Sequence, residues 1–197
     1  ADTVISDSWT LAGGAGDITG IEGFDEGLFW VMDPAAAKVA DMVIEALDGS
    51  GSVLDACAAP GGKSFRMASR GLDVTACDRS PARLDLMTES LHRLSLNVQT
   101  LRHDWTEGPC AELGSYDAVL VDAPCTGLGV VRRHPEILWR RQPGDPAAMG
   151  ITQRQVLKHA STHVKAGGAL IYAVCSTEPE EGHHVAESLE GWAIQSR

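Results

Sequence analysis

Long apolar runs are missing from this sequence. No stretch approaches the roughly 18 residues that a helix needs to cross a bilayer, so no membrane span is expected. The opening residues, Ala1-Asp2-Thr3-Val4-Ile5-Ser6-Asp7, carry no basic segment ahead of an apolar one, so no secretory leader is expected there. An initiator Met is missing too, as in a piece of a longer chain. Basic residues are scarce: 16 Lys and Arg stand against 27 Asp and Glu, a net charge of −11. Taken alone, that balance argues against a nucleic-acid surface. No Cys-x-x-Cys pair occurs, and His183 and His184 are adjacent, which does not suit two ligands on one helix face; no metal site is expected. Five cysteines are an odd number in a chain of 197 residues, so a disulfide framework is not expected either. Free thiols in a reducing cytoplasm are the expectation.

What is present is a regular alternation. Apolar runs at 53–56, 74–77, 98–101, 116–121 and 169–174 read as buried strands. Helical spacing follows at 34 to about 47, from about 63, at 81–94 with Leu84, Met87, Leu91 and Leu94, and at 152–164 with a stop near Gly167-Gly168. Asp33-Pro34 and Ser80-Pro81 have the chemistry of helix starts. Strands alternating with helices imply an α/β fold, a mostly parallel sheet with helices on both faces. Residues 1–30 are Gly-rich and read as an irregular or hairpin lead-in; residues 31–197 read as one catalytic domain. In such sheets ligands sit at the carboxyl ends of the strands. Asp55, Asp78, Asp104, Asp122, Cys125 and Cys175 all fall at or just after strand ends.

Cys57-Ala58-Ala59-Pro60-Gly61-Gly62-Lys63-Ser64 admits three nucleotide readings. A phosphate-binding P-loop needs Gly where Cys57 stands, and a dinucleotide turn needs Gly-x-Gly-x-x-Gly. Both fail. A loop for S-adenosylmethionine (SAM) needs only small residues and glycines that permit backbone approach, and these are present. An ordinary tight turn is the plain alternative. Asp78 suits a ribose diol by the same logic that places an acid about 20 residues past a dinucleotide turn, or it caps the next helix. Asp104 suits an adenine edge, or is a loop aspartate. Arg132, Arg133, His134, Arg140 and Arg141 form a basic segment just after Cys125, either a solvated loop or a phosphate grip.

Three stretches together carry a resemblance: 55–64 (Asp-Ala-Cys-Ala-Ala-Pro-Gly-Gly-Lys-Ser), 122–137 (Asp-Ala-Pro-Cys-Thr-Gly-Leu-Gly-Val-Val-Arg-Arg-His-Pro-Glu-Ile) and 175–181 (Cys-Ser-Thr-Glu-Pro-Glu-Glu). In this order and spacing they resemble the RNA cytosine-5 methyltransferase family of the RsmB/Sun type, over most of the chain. The resemblance implies a SAM-dependent, Rossmann-like methyltransferase fold. That fold normally has seven strands; five are clear here, and Trp192-Ala193-Ile194 reads as the start of a sixth, so truncation at the C-terminal end is expected. It implies SAM as cofactor, held by Cys57, Ala58, Ala59, Pro60, Gly61, Gly62, Lys63, Asp78, Arg83, Asp104 and Asp122, with S-adenosylhomocysteine as product. It implies RNA, most naturally ribosomal RNA, as partner at Arg132, Arg133 and His134, and a cytoplasmic monomer.

The chemistry explains why two thiols follow two strands. C5 of cytosine is a poor nucleophile until a thiolate adds to C6. C5 then takes the methyl group, a base removes its proton and the thiol leaves. An unpaired or flipped base is required. Side-chain chemistry alone does not choose between the thiols. By resemblance Cys175 attacks and Cys125 assists release, with the reverse assignment as runner-up; Asp122 meets N3 and must be protonated to donate there, and Lys63 gives electrostatic support. The competing functions are a thiol redox protein, a catalytically silent SAM-binding assembly protein, and a SAM methyltransferase acting on another nucleic acid or an amine.

Overall fold

The computed structural model describes residues 8–9 and 16–195; residues 1–7 and 10–15 of the Gly-rich lead-in, and the last two residues, lie outside the described residues. Five strands form one sheet: β1 (Ser52–Asp55), β2 (Asp73–Asp78), β3 (Gln99–Arg102), β4 (Tyr116–Asp122) and β5 (Val164–Ala173). Their order is β3-β2-β1-β4-β5, and every neighbouring pair is parallel. The chain leaves β1 towards one edge and returns at β4 towards the other. That reversal opens a crevice at the carboxyl ends of β1 and β4.

Alternation along the strands decides which helix covers which face. Leu54, Val119 and Val121 pack with Val156, Leu157 and Ala160 of α5 (Asp145–Ser161) and with Val185 of α6 (His183–Ala186). Val53, Val74, Ala118 and Leu120 point the other way, onto Ala40 and Val43 of α1 (Pro34–Ala46) and Met67 of α2 (Gly62–Ser69). Leu84, Met87 and Leu91 of α3 (Pro81–Leu94) extend that second face along β2, as their spacing predicts. The two Pro-led starts form as read: Asp33 accepts from Ala35 N at 2.8 Å, and Ser80 caps α3 by accepting from Arg83 N at 3.4 Å.

Three expectations need correcting. The fourth long helix runs Asp145–Ser161, not 152–164: Pro146 stands in its first turn as Pro34 does in α1, but Asp145 is already helical and no side chain caps this end. Gly167 and Gly168 do not stop a helix; they lie inside β5, which begins at Val164. The ladder shifts register there: Tyr116 pairs with Val164 and Ala118 with Ala169, leaving 165–168 opposite Asp117 alone. Residues 192–195 form no strand. In the described part of the lead-in there is one 3-10 turn, Ile18–Gly20, and further turns. Arg93 of α3 holds this segment by donating to Phe24 O (2.6 Å) and Phe29 O (3.1 Å) and by stacking on the Phe24 ring. Among the described residues, no helix is long and apolar enough to cross a membrane.

Candidate active site

A cavity of about 920 Å³ opens over the crevice. One wall is the turn after β1. Gly61 there has φ +112°, and a side chain at its Cβ would run into the Phe65 ring and Met87, so only glycine closes this turn. Ala58 N donates to Cys77 O at 2.8 Å and Ala59 N donates to Asp78 Oδ2 at 3.1 Å, which ties the turn to β2. Asp78 is 4% exposed, and its Oδ1 accepts from Ser80 N at 2.9 Å. Arg83 Nη1 lies 3.7 Å from Asp78 Oδ2. Asp104 accepts from Thr106 N at 2.9 Å and from Thr106 Oγ1 at 2.8 Å; these bonds hold its carboxyl below the usual range.

Asp55 lies beneath this wall, 1% exposed. Burial raises its pKa from 3.8 to about 6, against the opposing bond from Ser64 Oγ at 2.7 Å. Its Oδ1 has no partner and is buried.

The other wall follows β4 and β5. Cys125 Sγ and Cys175 Sγ are 2.9 Å apart. Cys175 is exposed and Cys125 half-buried. The bond from Cys125 holds the Cys175 thiol below its ordinary pKa, against burial. The same bond, with burial, pushes Cys125 up. When one of the two thiols ionises, the bond from the other stabilises it, and the more exposed Cys175 is the one so favoured. Gly129 N donates to Cys175 O at 3.0 Å, and a Cβ on Gly129 would lie 2.9 Å from that oxygen. Between the two walls, Lys63 is ion-paired with Asp122, both partly exposed to the cavity.

The remaining cysteines are of another kind. Burial pushes Cys57 up, with Asp55 adding to it, and pushes Cys77 up to about 12. Cys110 is buried.

Arg132, Arg133 and His134 are exposed on the loop that leaves Cys125. Arg133 pairs with Asp33, the cap of α1. Arg141 Nε donates to Thr126 O at 2.9 Å, so the far end of the basic segment is fastened to the Cys125 loop. Between them the short α4 (Ile137–Arg140) presents Trp139, 87% exposed.

All the cofactor-side residues read from sequence, Gly61 excepted, line the cavity with both thiols, Asp122 and Arg133; Arg132 and His134 do not line it. Sequence reasoning placed Asp55 at a strand end without giving it a site role, and missed a polar cluster next to the thiols in which Thr126, Gln153 and Glu181 are buried and Ser176 is half-buried. Ser176 and Glu181 lie inside the 175–181 stretch, and Gln153 interrupts an apolar stripe with Val156, Leu157 and Ala160. A buried polar residue in that stripe was the available signal.

Comparison with known proteins agrees with this architecture. Ribosomal RNA small subunit methyltransferase B of Erwinia tasmaniensis is 39% identical over 167 residues, covering 83% of this chain and 38% of that protein. A putative methyltransferase of Mycobacterium tuberculosis, Rv1407, is 42% identical over 171 residues, covering 83% and 35%. The crystal structure of NSun6 from Pyrococcus horikoshii with SFG, a SAM analogue, superposes with a TM-score of 0.76 at 27% identity, covering 87% of this chain and 44% of that one. The chain thus spans well under half the length of these relatives. Residues 42–191 match the family described as 16S rRNA methyltransferase RsmB/F. With the parallel sheet, the crevice and the paired thiols in place, that match makes the chain a member of the RsmB/F family of methyltransferases.

Proposed function

We propose that the chain is the catalytic part of an enzyme that methylates C5 of a cytosine in RNA, most fittingly ribosomal RNA, with SAM as donor. The observation that carries this reading is the thiol contact of 2.9 Å between the loops after β4 and β5, beside the Lys63–Asp122 pair. A methyltransferase acting on an exocyclic amine needs no thiol.

The cavity fits SAM. Five carboxylates (Asp33, Asp55, Asp78, Asp104 and Asp122) and five basic side chains (Lys63, Arg79, Arg83, Arg93 and Arg133) line it, which suits a ligand carrying both a carboxylate and cationic groups. Asp78 and Asp104 offer acceptors at the ends of β2 and β3, where a ribose diol and an adenine amine call for them. The unpartnered Oδ1 of Asp55 is a further buried acceptor. SAM would supply the methyl group; the other tasks belong to the chain.

Cys175, as thiolate, adds to C6 of the target base. Asp122, which must carry a proton to donate there, meets N3 as density builds, with Lys63 beside it as electrostatic support. Forming the S–C bond converts Cys175 to a thioether. The bond that held the Cys125 proton then loses its charged acceptor, and Cys125 ionises more easily. Cys125 is thereby readied to take the C5 proton after methyl transfer. Electrons of the broken C5–H bond restore the ring double bond and expel Cys175 as thiolate. Arg132 and its neighbours hold phosphates beside the base.

RNA containing 5-fluorocytosine tests the covalent step, because fluorine leaves no C5 proton to remove. The full-length protein with SAM should retain that RNA through denaturing electrophoresis. Free migration of the fluorinated RNA, with methyl label recovered on an exocyclic amine, would reverse the conclusion.

A further inference from the structure

Glu181 does not line the cavity and takes no part in the steps above, yet it is the most fully bonded carboxylate near the thiols. It is 0% exposed. A buried charge persists only when its acceptor sites are met. Here Oε1 accepts from Thr126 N at 2.7 Å and from Gln153 Nε2 at 3.1 Å. Oε2 accepts from Ser176 Oγ at 2.6 Å and from Thr126 Oγ1. Four donors match the roughly four lone-pair sites of an ionised carboxylate.

The donors are placed tellingly. Thr126 follows Cys125 and Ser176 follows Cys175. Gln153 also donates to Pro124 O at 2.9 Å, on the other side of Cys125. The backbone of Glu181 is fixed as well, since its carbonyl accepts from Tyr172 OH at 2.6 Å. One carboxylate thus grips the chain next to both thiols, which lie 50 residues apart in sequence. We infer that Glu181 is a positioning residue that holds Cys125 and Cys175 in contact. The consequence for turnover rests on the assignment of attack to Cys175 and release to Cys125; the thiol geometry does not.

Two substitutions separate bonding from mere filling. In Glu181→Gln the amide oxygen accepts the two N–H groups, and the amide NH₂ faces two hydroxyls that can rotate to accept. The grip survives. Glu181→Ala removes it.

The rate of disulfide formation between the two thiols reads their separation directly. Added diamide takes two electrons from the pair as the S–S bond forms, and is reduced to its hydrazine with one proton from the remaining thiol and one from solvent. Wild-type chain should cross-link readily and Glu181→Gln within about twofold of it, whereas Glu181→Ala should slow by about tenfold or more, because separated thiols cannot reach bonding geometry. Far-UV circular dichroism and resistance to proteolysis establish that the variants fold. If Glu181→Ala fails to fold, Thr126→Val and Ser176→Ala, each lacking one arm of the grip, should each cross-link several-fold more slowly. Wild-type cross-linking rates in Glu181→Ala, or in both single-arm variants where Ala does not fold, would overturn the inference, as would a wild-type chain that does not cross-link. In RNA methylation, Glu181→Ala should accumulate the covalent adduct as Cys125→Ala does, and the double variant should release it no more slowly than Cys125→Ala alone. Strictly additive slowing would overturn the positioning role. Loss of all adduct chemistry alongside the expected cross-linking pattern would refute the proposed reaction and leave the positioning intact.

Discussion

On the β2–β3 side of the crevice the cavity wall is made of acceptors, and on the β4–β5 side it is made of thiols. The acceptor wall is assembled locally. Its carboxylates bond close by, Asp78 accepting from Ser80 and Asp104 from Thr106, each two residues away, and Asp78 also from Ala59 N, while the longer ties from His103 N to Asp78 O and from Trp105 Nε1 to Ala56 O leave the carboxylates out. The thiol wall is assembled at long range. Cys125 meets Cys175 across 50 residues, and Thr126 meets Glu181 across 55. A binding wall needs acceptors pointing the right way, which turns can supply one at a time. A pair of thiols needs a fixed distance between two loops, which only the tertiary fold supplies.

The largest effects are expected on the thiol wall. Cys175→Ala should abolish methylation and the covalent adduct together, measured by methyl-label transfer and denaturing electrophoresis with the full-length protein. Cys125→Ala should still form the adduct but lower turnover by roughly 10²–10⁴, the range for loss of a positioned acid–base group. The reverse pattern would exchange the two roles and leave the wall's chemistry standing. The pH dependence follows from the depressed thiol. Cys175 is held down to about 7 by the Cys125 bond, and the protonated thiol does not attack. Adduct formation should therefore rise with pH up to about 7 and flatten above it. In Cys125→Ala the inflection should move up towards the ordinary thiol value of about 8.5.

The acceptor wall carries a different cost, a buried carboxyl. Asp55 has its folded pKa raised from 3.8 to about 6, so the fold favours its neutral form. Its contribution is fully present below the unfolded value and is lost as pH rises through the folded one. Asp55→Asn keeps an oxygen for Ser64 and cannot ionise. Its stability relative to wild type should grow between pH 4 and 6 and level off above, by at most about 3 kcal/mol in urea denaturation. A flat difference across that range would mean that this wall buries no charge.

Smaller effects belong to single contacts. Asp78→Ala should weaken SAM binding by about 1.5 kcal/mol or more, read by titration calorimetry, for loss of a charge-assisted hydrogen bond. Unchanged affinity would take Asp78 out of the cofactor wall and leave it as a brace for the turn. Outside both walls, Arg132→Ala should lower the salt slope of RNA binding by about 1. Arg133→Ala should lower it less, because Arg133 is already paired with Asp33. Equal slopes would mean that RNA competes that ion pair away.

The same division decided what could be read from residues alone. Strand ends, the Gly61 turn and the aspartates at or just after the ends of the first four strands are local patterns, so the parallel fold and the acceptor wall were legible. The start of β5 was not, because Gly167 and Gly168 suit a helix stop as well as the irregular ladder opposite Asp117. Nor was the helix start at Asp145, because the buried positions ahead of Val156 are Pro146, Gly150 and Gln153 and make no stripe of large apolar residues. Both thiols were legible as a pair, but only by resemblance was one preferred for attack. The hydrogen bond between them, which lowers one and raises the other, exists only once the loops are folded together. Glu181 stood within a recognisable stretch, but its task depends on Thr126 and Gln153, which are distant in sequence.

The unequal ionisation of the five cysteines also makes the chain a selective target for electrophiles. Cys57, Cys77 and Cys125 are pushed up, Cys110 is buried, and Cys175 alone is both exposed and held down. A chloroacetamide or acrylamide warhead carried by an adenosine-like scaffold would meet a single fast-reacting sulfur at the mouth of the cavity. Such a compound would report the occupancy of this site in a cell extract without any engineered residue.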